Sequence, residues 1–456
     1  MCYDVERKQS ACIQSGIFVS STNSTNSTGS TNQDKPSSNL STRPLPSIEE
    51  RRSPYLALQF LDFRLLLIGT FFASLGEQMI NVAIGWELYN RTGSALILGF
   101  VGLAQVTPIL LFSLPAGHIA DRYNRKHIML IGLAMVALSA LGLTLLSLFR
   151  GPLVLIYVCL FCIGLATAFY SPASSAMTPQ TIPDYAFGSA ATWSSSTWQL
   201  AAVLGPAFSG MLIALMHSAV LVYALNVGTN LLFLLLLLRI RVRQLQVAPK
   251  EGTTLRALGE GLRFLGRTQI ILAAITLDLF AVLLGGATTL LPIFAKDILH
   301  VGAAGLGWLR TAPSVGAICV AFSLAYAPPF KRAGWTLLLA VVGFGAATII
   351  FGLSHFFWLS LTMLFLLGGF DNISVVIRST LLMTRTPNEM RGRVGAVNSL
   401  FIGASNELGG FESGVVAQLF GPIASVVGGG VGTILVVAGV ALLGPGMRRL
   451  RRLDET

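Results

Sequence analysis

The sequence predicts an all-α integral membrane protein, with twelve transmembrane helices forming two parallel six-helix repeats around a central cavity. The first observation behind this is composition. Of 456 residues, 53% are apolar and only 11% charged, and the mean hydropathy is +0.71, well outside the balance of soluble globular domains. The second is that twelve apolar runs fit between Phe63 and Met447, each near the roughly 20 residues that cross about 30 Å of hydrocarbon. They are rich in Leu, Ala, Gly and Val and free of turn clusters, which favours helices over barrel strands. The third is internal repetition: at an offset of 204 residues, positions 182 to 210 lie over 386 to 414.

Residues 1–55 are polar, rich in Ser, Thr and Asn, and have little to bury, so a disordered cytoplasmic tail is expected there. Its start lacks the apolar core of a signal peptide. Residues 56–240 are expected to form an N-terminal six-helix bundle, with spans over 63–89, 95–118, 127–149, 151–171, 189–215 and 217–239. The basic linker 241–268 carries Leu255, Leu258, Leu262 and Leu265 at helical spacing, which predicts an amphipathic helix on the membrane surface. Residues 269–447 supply the C-terminal bundle, with spans over 269–295, 302–327, 334–353, 356–383, 392–419 and 422–446, followed by a basic cytoplasmic tail over 448–456.

The net charge of +11 is gathered on one side of this layout, at Arg122, Arg125, Lys126, Arg239, Lys331, Arg332, Arg391, Arg393 and the terminal RRLRR. The opposite loops offer little beyond Arg91, Arg150 and Lys296. By the positive-inside rule, both termini are expected in the cytoplasm. No aromatic or glycine-rich basic module accompanies the positive charge, so no nucleic-acid partner is expected. Cys159 and Cys162 lie inside an apolar run, so the five cysteines imply neither a disulfide framework nor a metal site.

Within the repeat, Pro183 matches Pro387, Gly188 matches Gly392, Gly205 matches Gly409 and Gly210 matches Gly414. An offset near 208 lays 99 to 108 beside 307 to 316, more weakly. Small residues recur where helices cross, but Val203 and Phe208 stand where the second copy has Glu407 and Glu412. In parallel six-helix repeats a cavity between the halves opens alternately to either side. Gly205, Pro206 and Gly210 in LGPAFSG form a packing motif on the fifth span, the glycines permitting close approach and the proline bending the helix.

Between the second and third spans the chain reads GHIADRYNRKHIM. Gly117 is expected to let two helices approach closely, and Asp121 to accept bonds from a neighbouring helix N-terminus. Arg122, Arg125 and Lys126 are expected to stay in water and anchor orientation. These residues, at this spacing, resemble the signature loop of the major facilitator superfamily. The runs WELYNRTGSALILGFVGLAQVTP, FDNISVVIRSTL and NEMRGRVGAVNSLFIGASNELGGFESG are similar to the branch holding the enterobactin exporter and macrolide efflux proteins.

The resemblance implies a secondary transporter of a bacterial inner membrane that exports amphipathic small molecules in exchange for protons. It also implies a gating role for the loop from Gly117 to Lys126 and reads LGPAFSG as an antiporter motif. A monomer without cofactor or metal is expected. The chain departs from the pattern in its fourth span, which carries no arginine, and in AYAPPFKRAG, the second-half counterpart of the loop, which lacks Asp. A fourth-span arginine is therefore not the expected coupling group.

A charge at the bilayer centre costs at least about 2.5 kcal/mol, which makes intramembrane acids candidates for function. Glu77 lies about 21 Å into the first span, on a stripe with Thr70, Ser74 and Asn81 that should line the cavity. Asp278 occupies a similar depth in the seventh span, with Gly285 and Thr289 on its face. In the tenth span Asp371, Ser374 and Arg378 share a stripe, with Asn372 beside it. Glu407 follows a glycine seam with Gly403, Gly410 and Gly414 and is expected to bond toward the tenth helix, with Arg378 as candidate partner. Glu412 keeps company with Asn398 and Ser405 and is expected to face water or substrate.

A buried carboxyl without a nearby cation is suited to take up and release a proton. That role falls on Glu77 first and Asp278 second; the alternative is that these acids are fixed in structural ion pairs. The five histidines fall at span ends and are expected at the interface. With no Walker loop, HExxH, nucleophile elbow or metal-ligand cluster, an enzyme is not expected. The competing functions are a proton-linked importer of a small solute and a scaffold that transports nothing.

Overall fold

The computed structural model describes residues 54–241, 254–327, 330, 332–388 and 390–443. The expected N-terminal tail falls almost wholly outside the described residues, as do Lys331, the linker over 242–253 and the basic tail over 448–456. All described residues belong to one compact unit.

Thirteen long helices follow one another among the described residues: α1 (Leu61–Thr92), α2 (Ala95–Arg122), α3 (Arg125–Leu148), α4 (Leu153–Thr181), α5 (Phe187–Met216), α6 (Val220–Arg239), α7 (Thr254–Arg267), α8 (Gln269–Leu284), α9 (Gly302–Tyr326), α10 (Ala333–Leu353), α11 (Phe357–Arg385), α12 (Arg391–Phe420) and α13 (Pro422–Leu443). Local chemistry sets several ends. Gly93 closes α1 in the left-handed region, φ 63°, with its N–H donating to the Tyr89 carbonyl. Asn124 caps α3 by accepting from the Lys126 N–H at 3.0 Å.

Among the described residues, ten helices are long and apolar enough to cross a membrane, and α7 with α8 would count as an eleventh crossing, bent by 106°. Helix α12 has the length, at 30 residues, but its glutamates, arginines and polar residues hold it below that apolarity. The linker helix α7 buries Gly261 and Leu265 while Leu262 and Arg263 stay exposed. It is tied to α12 by a 2.5 Å ion pair from Glu260 to Arg393. Leu255 and Leu258 have side chains outside the described set.

The expected unbroken seventh span over 269–295 is corrected. Helix α8 ends at Leu284, and the chain runs through an irregular stretch before a short turn at Leu291–Ile293 and a wide π-helical turn at Phe294–Ile298. The break lies where the backbone presses on α12: a side chain at Gly286 would stand 2.6 Å from the Gly409 carbonyl oxygen. Thr289 therefore leaves the face of Asp278.

The two halves pack alike. In the first, α1 packs on α5 and α6, α2 on α4, and α3 on α4 and α6. In the second, α8 packs on α12 and α13, α9 on α11, and α10 on α11 and α13. Each pair in one half has its counterpart in the other. Between the halves, α2 crosses α12 and α5 crosses α9.

Both crossings are glycine contacts. A Cβ at Gly414 would lie 2.8 Å from Gly99 Cα, and one at Gly210 would lie 2.7 Å from Gly307 Cα. Gly205 does the same within the first half, where a Cβ would stand 3.1 Å from the Leu75 carbonyl oxygen. The side chain of Gly210→Leu should therefore force α5 from α9 at a local cost of about 1–3 kcal/mol. Spin labels at positions 94 and 418, on the other crossing, should then move apart by several ångströms. An unchanged distance would show that the two crossings do not open together.

Candidate functional site

Between the halves lies a cavity of about 120 Å³ whose polar lining is Asn81 from α1, Gln105 from α2, Thr289 from the broken stretch, Arg310 from α9 and Glu407 from α12. Every one of these elements except the broken stretch is a continuous helix, so the groups are held on rigid supports. The broken stretch has its own use: Arg310 Nη1 donates to the Thr288 carbonyl at 2.8 Å, a bond that a carbonyl inside a regular helix would not readily accept. Glu407 fits because Gly102 has no side chain; a Cβ there would collide with the carboxylate and lie 3.2 Å from the Glu407 carbonyl oxygen. Arg310 and Glu407 attract one another across the cavity. The result is a small polar chamber with one cation, one anion and two amides, able to hold a ligand that offers an acceptor at one end and a donor at the other.

Contacts between the halves gather on the side where α1 ends. The Tyr89 hydroxyl donates to the Asp297 carboxylate, and Lys296 Nζ lies 5.5 Å from the centre of the Tyr89 ring. Ser94 Oγ donates to Gln418 at 2.9 Å. Deeper, near the middle of α5, Thr311 Oγ1 donates to the Val203 carbonyl at 3.1 Å. On the other side of the cavity Glu77, one helical turn from Asn81 on the same stripe, is exposed at the middle of α1.

Several expected placements change. Arg378 does not reach Glu407; it forms a buried ion pair with Asp278. Its position on α11, facing α8, decides the partner. Of the two α12 glutamates, Glu407 lines the cavity, while Glu412 lies outside that lining, partly buried, and accepts a weak 3.4 Å bond from its neighbour Ser413. Asn398 also lies outside it, half-buried two turns before Glu407. Asp371 sits beside the Asp278 pair, and the side-chain oxygen of Asn372 is buried without a hydrogen-bond partner.

The loop is likewise corrected. A Cβ at Gly117 would meet nothing within 4 Å, so it is not where two helices close up. That place is Gly164 on α4, where a Cβ would stand 2.8 Å from the Pro108 ring of α2. Arg125 and Lys126 do not simply stay in water. Arg125 donates to the Ala176 carbonyl at 3.0 Å, and Lys126 to the Leu238 and Ile240 carbonyls at 2.9 and 2.8 Å. Late helical carbonyls carry partial negative charge and draw these cations in. Arg122 is exposed, and the Asp121 side chain lies outside the described set. His118, His127, His217, His300 and His355 are all exposed.

Sequence reasoning missed Arg310 and Gln105. Arg310 was visible in principle: it stands eight residues past the first residue of α9, about 12 Å along an apolar helix.

The profile of the family described as "Transmembrane secretion effector" matches residues 52–455. The enterobactin exporter EntS of Shigella boydii serotype 4 is 25% identical over 394 residues, covering 86% of this chain and 93% of its own length. The enterobactin exporter EntS of Citrobacter koseri is 26% identical, with the same coverage of both chains. Among solved structures, the nucleoside transporter NupG matches with a TM-score of 0.64 at 12% identity, over 87% of this chain and 100% of that one. A bacterial homolog to the human lysosomal transporter Spinster, in an inward-facing and occupied conformation, matches with a TM-score of 0.67 at 14% identity, over 87% and 99%. At these identities the solved structures establish the fold and nothing finer.

Proposed function

The chain belongs to the transmembrane secretion effector family of major facilitator transporters, and from that premise we propose that it exports amphipathic small molecules across the inner membrane by alternating access, driven by protons moving inward. In this scheme α12 and the broken seventh segment complete twelve crossings. Residues 56–240 and 269–447 are the two rocking bundles, and the positive charge of the loops holds both termini in the cytoplasm. The relatives named as enterobactin exporters support export over import.

The observation that carries the proposal is the cavity itself: opposite charges from α9 and α12 set between two halves that are joined at one end by Tyr89 with Asp297 and Ser94 with Gln418. A substrate would replace part of the attraction between Arg310 and Glu407 with its own polar groups, while its apolar body meets Val101, Leu98 and Leu306. With Tyr89 and Asp297 joined, the cavity is sealed from the outside; export requires that bond to part and the opposite end to close. The loop from Gly117 to Lys126 lies at the end that must close, where it ties α3 to α4 and α6.

Purified protein in proteoliposomes, given a panel of fluorescent amphipathic dyes and an imposed pH gradient, tests this. At least one dye should move against its own gradient while protons move the opposite way. Movement of dye and protons in the same direction would make the protein an importer, and no flux under any gradient would favour a scaffold.

A further inference from the structure

Away from the central cavity, inside the second half, three ionisable side chains converge where α8 and α11 meet. Asp278 on α8 and Arg378 on α11 are paired, with only 7% and 4% of their surfaces exposed. Asp371 lies on the same stripe of α11 as Arg378, seven residues earlier, about 10.5 Å along the axis. Helical side chains lean toward the N-terminus, so Arg378 reaches back along the stripe toward Ser374 and Asp371. A void of about 10 Å³ is lined by Asp278, Asp371 and Ser374 together with the apolar side chains of Val341 and Phe344. That is the size of one water molecule.

The charge count does not balance. Two carboxylates share one guanidinium, and Asp278 holds it. Helix α10, which forms the far wall, contains no titratable residue, and the ionisable groups of α9 and α12 nearest in depth, Arg310 and Glu407, line the other cavity. Asp371 therefore shares the void with Asp278, whose own partner is Arg378. An ionised carboxylate there would stand in low dielectric against a like charge, with its only possible counter-ion already engaged.

We propose that Asp371 is the proton-binding group of the transporter, with Arg378 as the hinge of charge that pairs with Asp278 while Asp371 holds the proton and is shared between both when the proton leaves. The step balances: the carboxylic acid O–H breaks, a water admitted to the void accepts the proton and carries it to bulk solvent, and the guanidinium meets the carboxylate left behind. The proposal rests on proton coupling as set out above. It also separates the proton from the substrate, placing the first inside the second half and the second between the halves, so that either can be lost alone.

The test needs no substrate. In infrared titration of the full-length protein in lipid vesicles, wild type should show a protonated carboxyl band that is lost reversibly as the pH is raised. Asp371→Asn should lose that band, Glu77→Gln and Glu407→Gln should keep it, and Ser374→Ala, which is milder, should shift its midpoint. Retention of the band in Asp371→Asn, its loss in Glu77→Gln instead, or no titrating band at all would overturn the assignment. Because the readout is the carboxyl itself, a failure to find any transported dye bears on the export proposal and leaves this measurement intact.

Discussion

Replacing Arg378 by Met should cost about 3–5 kcal/mol of stability, the range seen when one partner of a buried ion pair is removed. The reason lies in burial. Asp278, left alone at 7% exposure, would keep a charge with no counter-ion. The cost should appear as a large drop in the thermal unfolding temperature of detergent-purified protein. Adding Asp278→Leu should recover most of it, because two apolar side chains of similar volume need no desolvation. If Arg378→Met unfolds at the wild-type temperature, the pair is not the buried anchor described here. The double variant separates two roles: a chain that folds again and still shows no proton-driven transport has lost the proton machinery and not its core.

Arg310→Gln and Glu407→Gln should each lower proton-driven flux about ten- to a hundredfold, the equivalent of about 1.5–3 kcal/mol for a hydrogen bond to a charged group. Stability should change much less, because both groups are only half-buried and face a polar chamber. Initial rates in proteoliposomes, compared with unfolding temperatures for the same preparations, make the distinction. The two losses should not add in the double variant, since each charge acts on the other. Additive losses would mean that the residues contact the substrate independently.

Most of the fold was legible in the sequence because the bilayer imposes a single rule on every crossing, and apolar length reports it. The rule reports the lipid crossing, not the helix. Helix α4 runs on to Thr181 through SPASSAMTPQ, past the expected end at residue 171, because a helix leaving the lipid can continue in polar residues. The break at Gly285 and Gly286 was hidden for the same reason: the residues stay apolar while the backbone bends. Partner choice was not legible. Arg378 and Glu407 share a plausible depth, but which acid an arginine meets depends on helix rotation and neighbour order, and the placement of α11 against α8 gave it Asp278. Arg310 was overlooked beside Trp308 and Pro313 in a run valued for its repeat, although a lone arginine in an apolar span is itself the signal. Gly117 misled in the opposite direction, since a glycine in a recognised loop suggests close packing that only neighbouring atoms can confirm.

Arg310, Glu407, Asp278, Asp371 and Arg378 all come from the second half of the chain. At the matching places the first half has Gly102 and Val203: one makes room for Glu407, the other lends a backbone carbonyl to Thr311. Charge has been gathered in one of the duplicated copies, while Asn81, Gln105, Leu98 and Val101 of the other still line the cavity. A chimera carrying this C-terminal half behind the N-terminal half of a relative should therefore keep the charged groups, while exchange of Leu98, Val101 and Gln105 should alter which substrates it accepts.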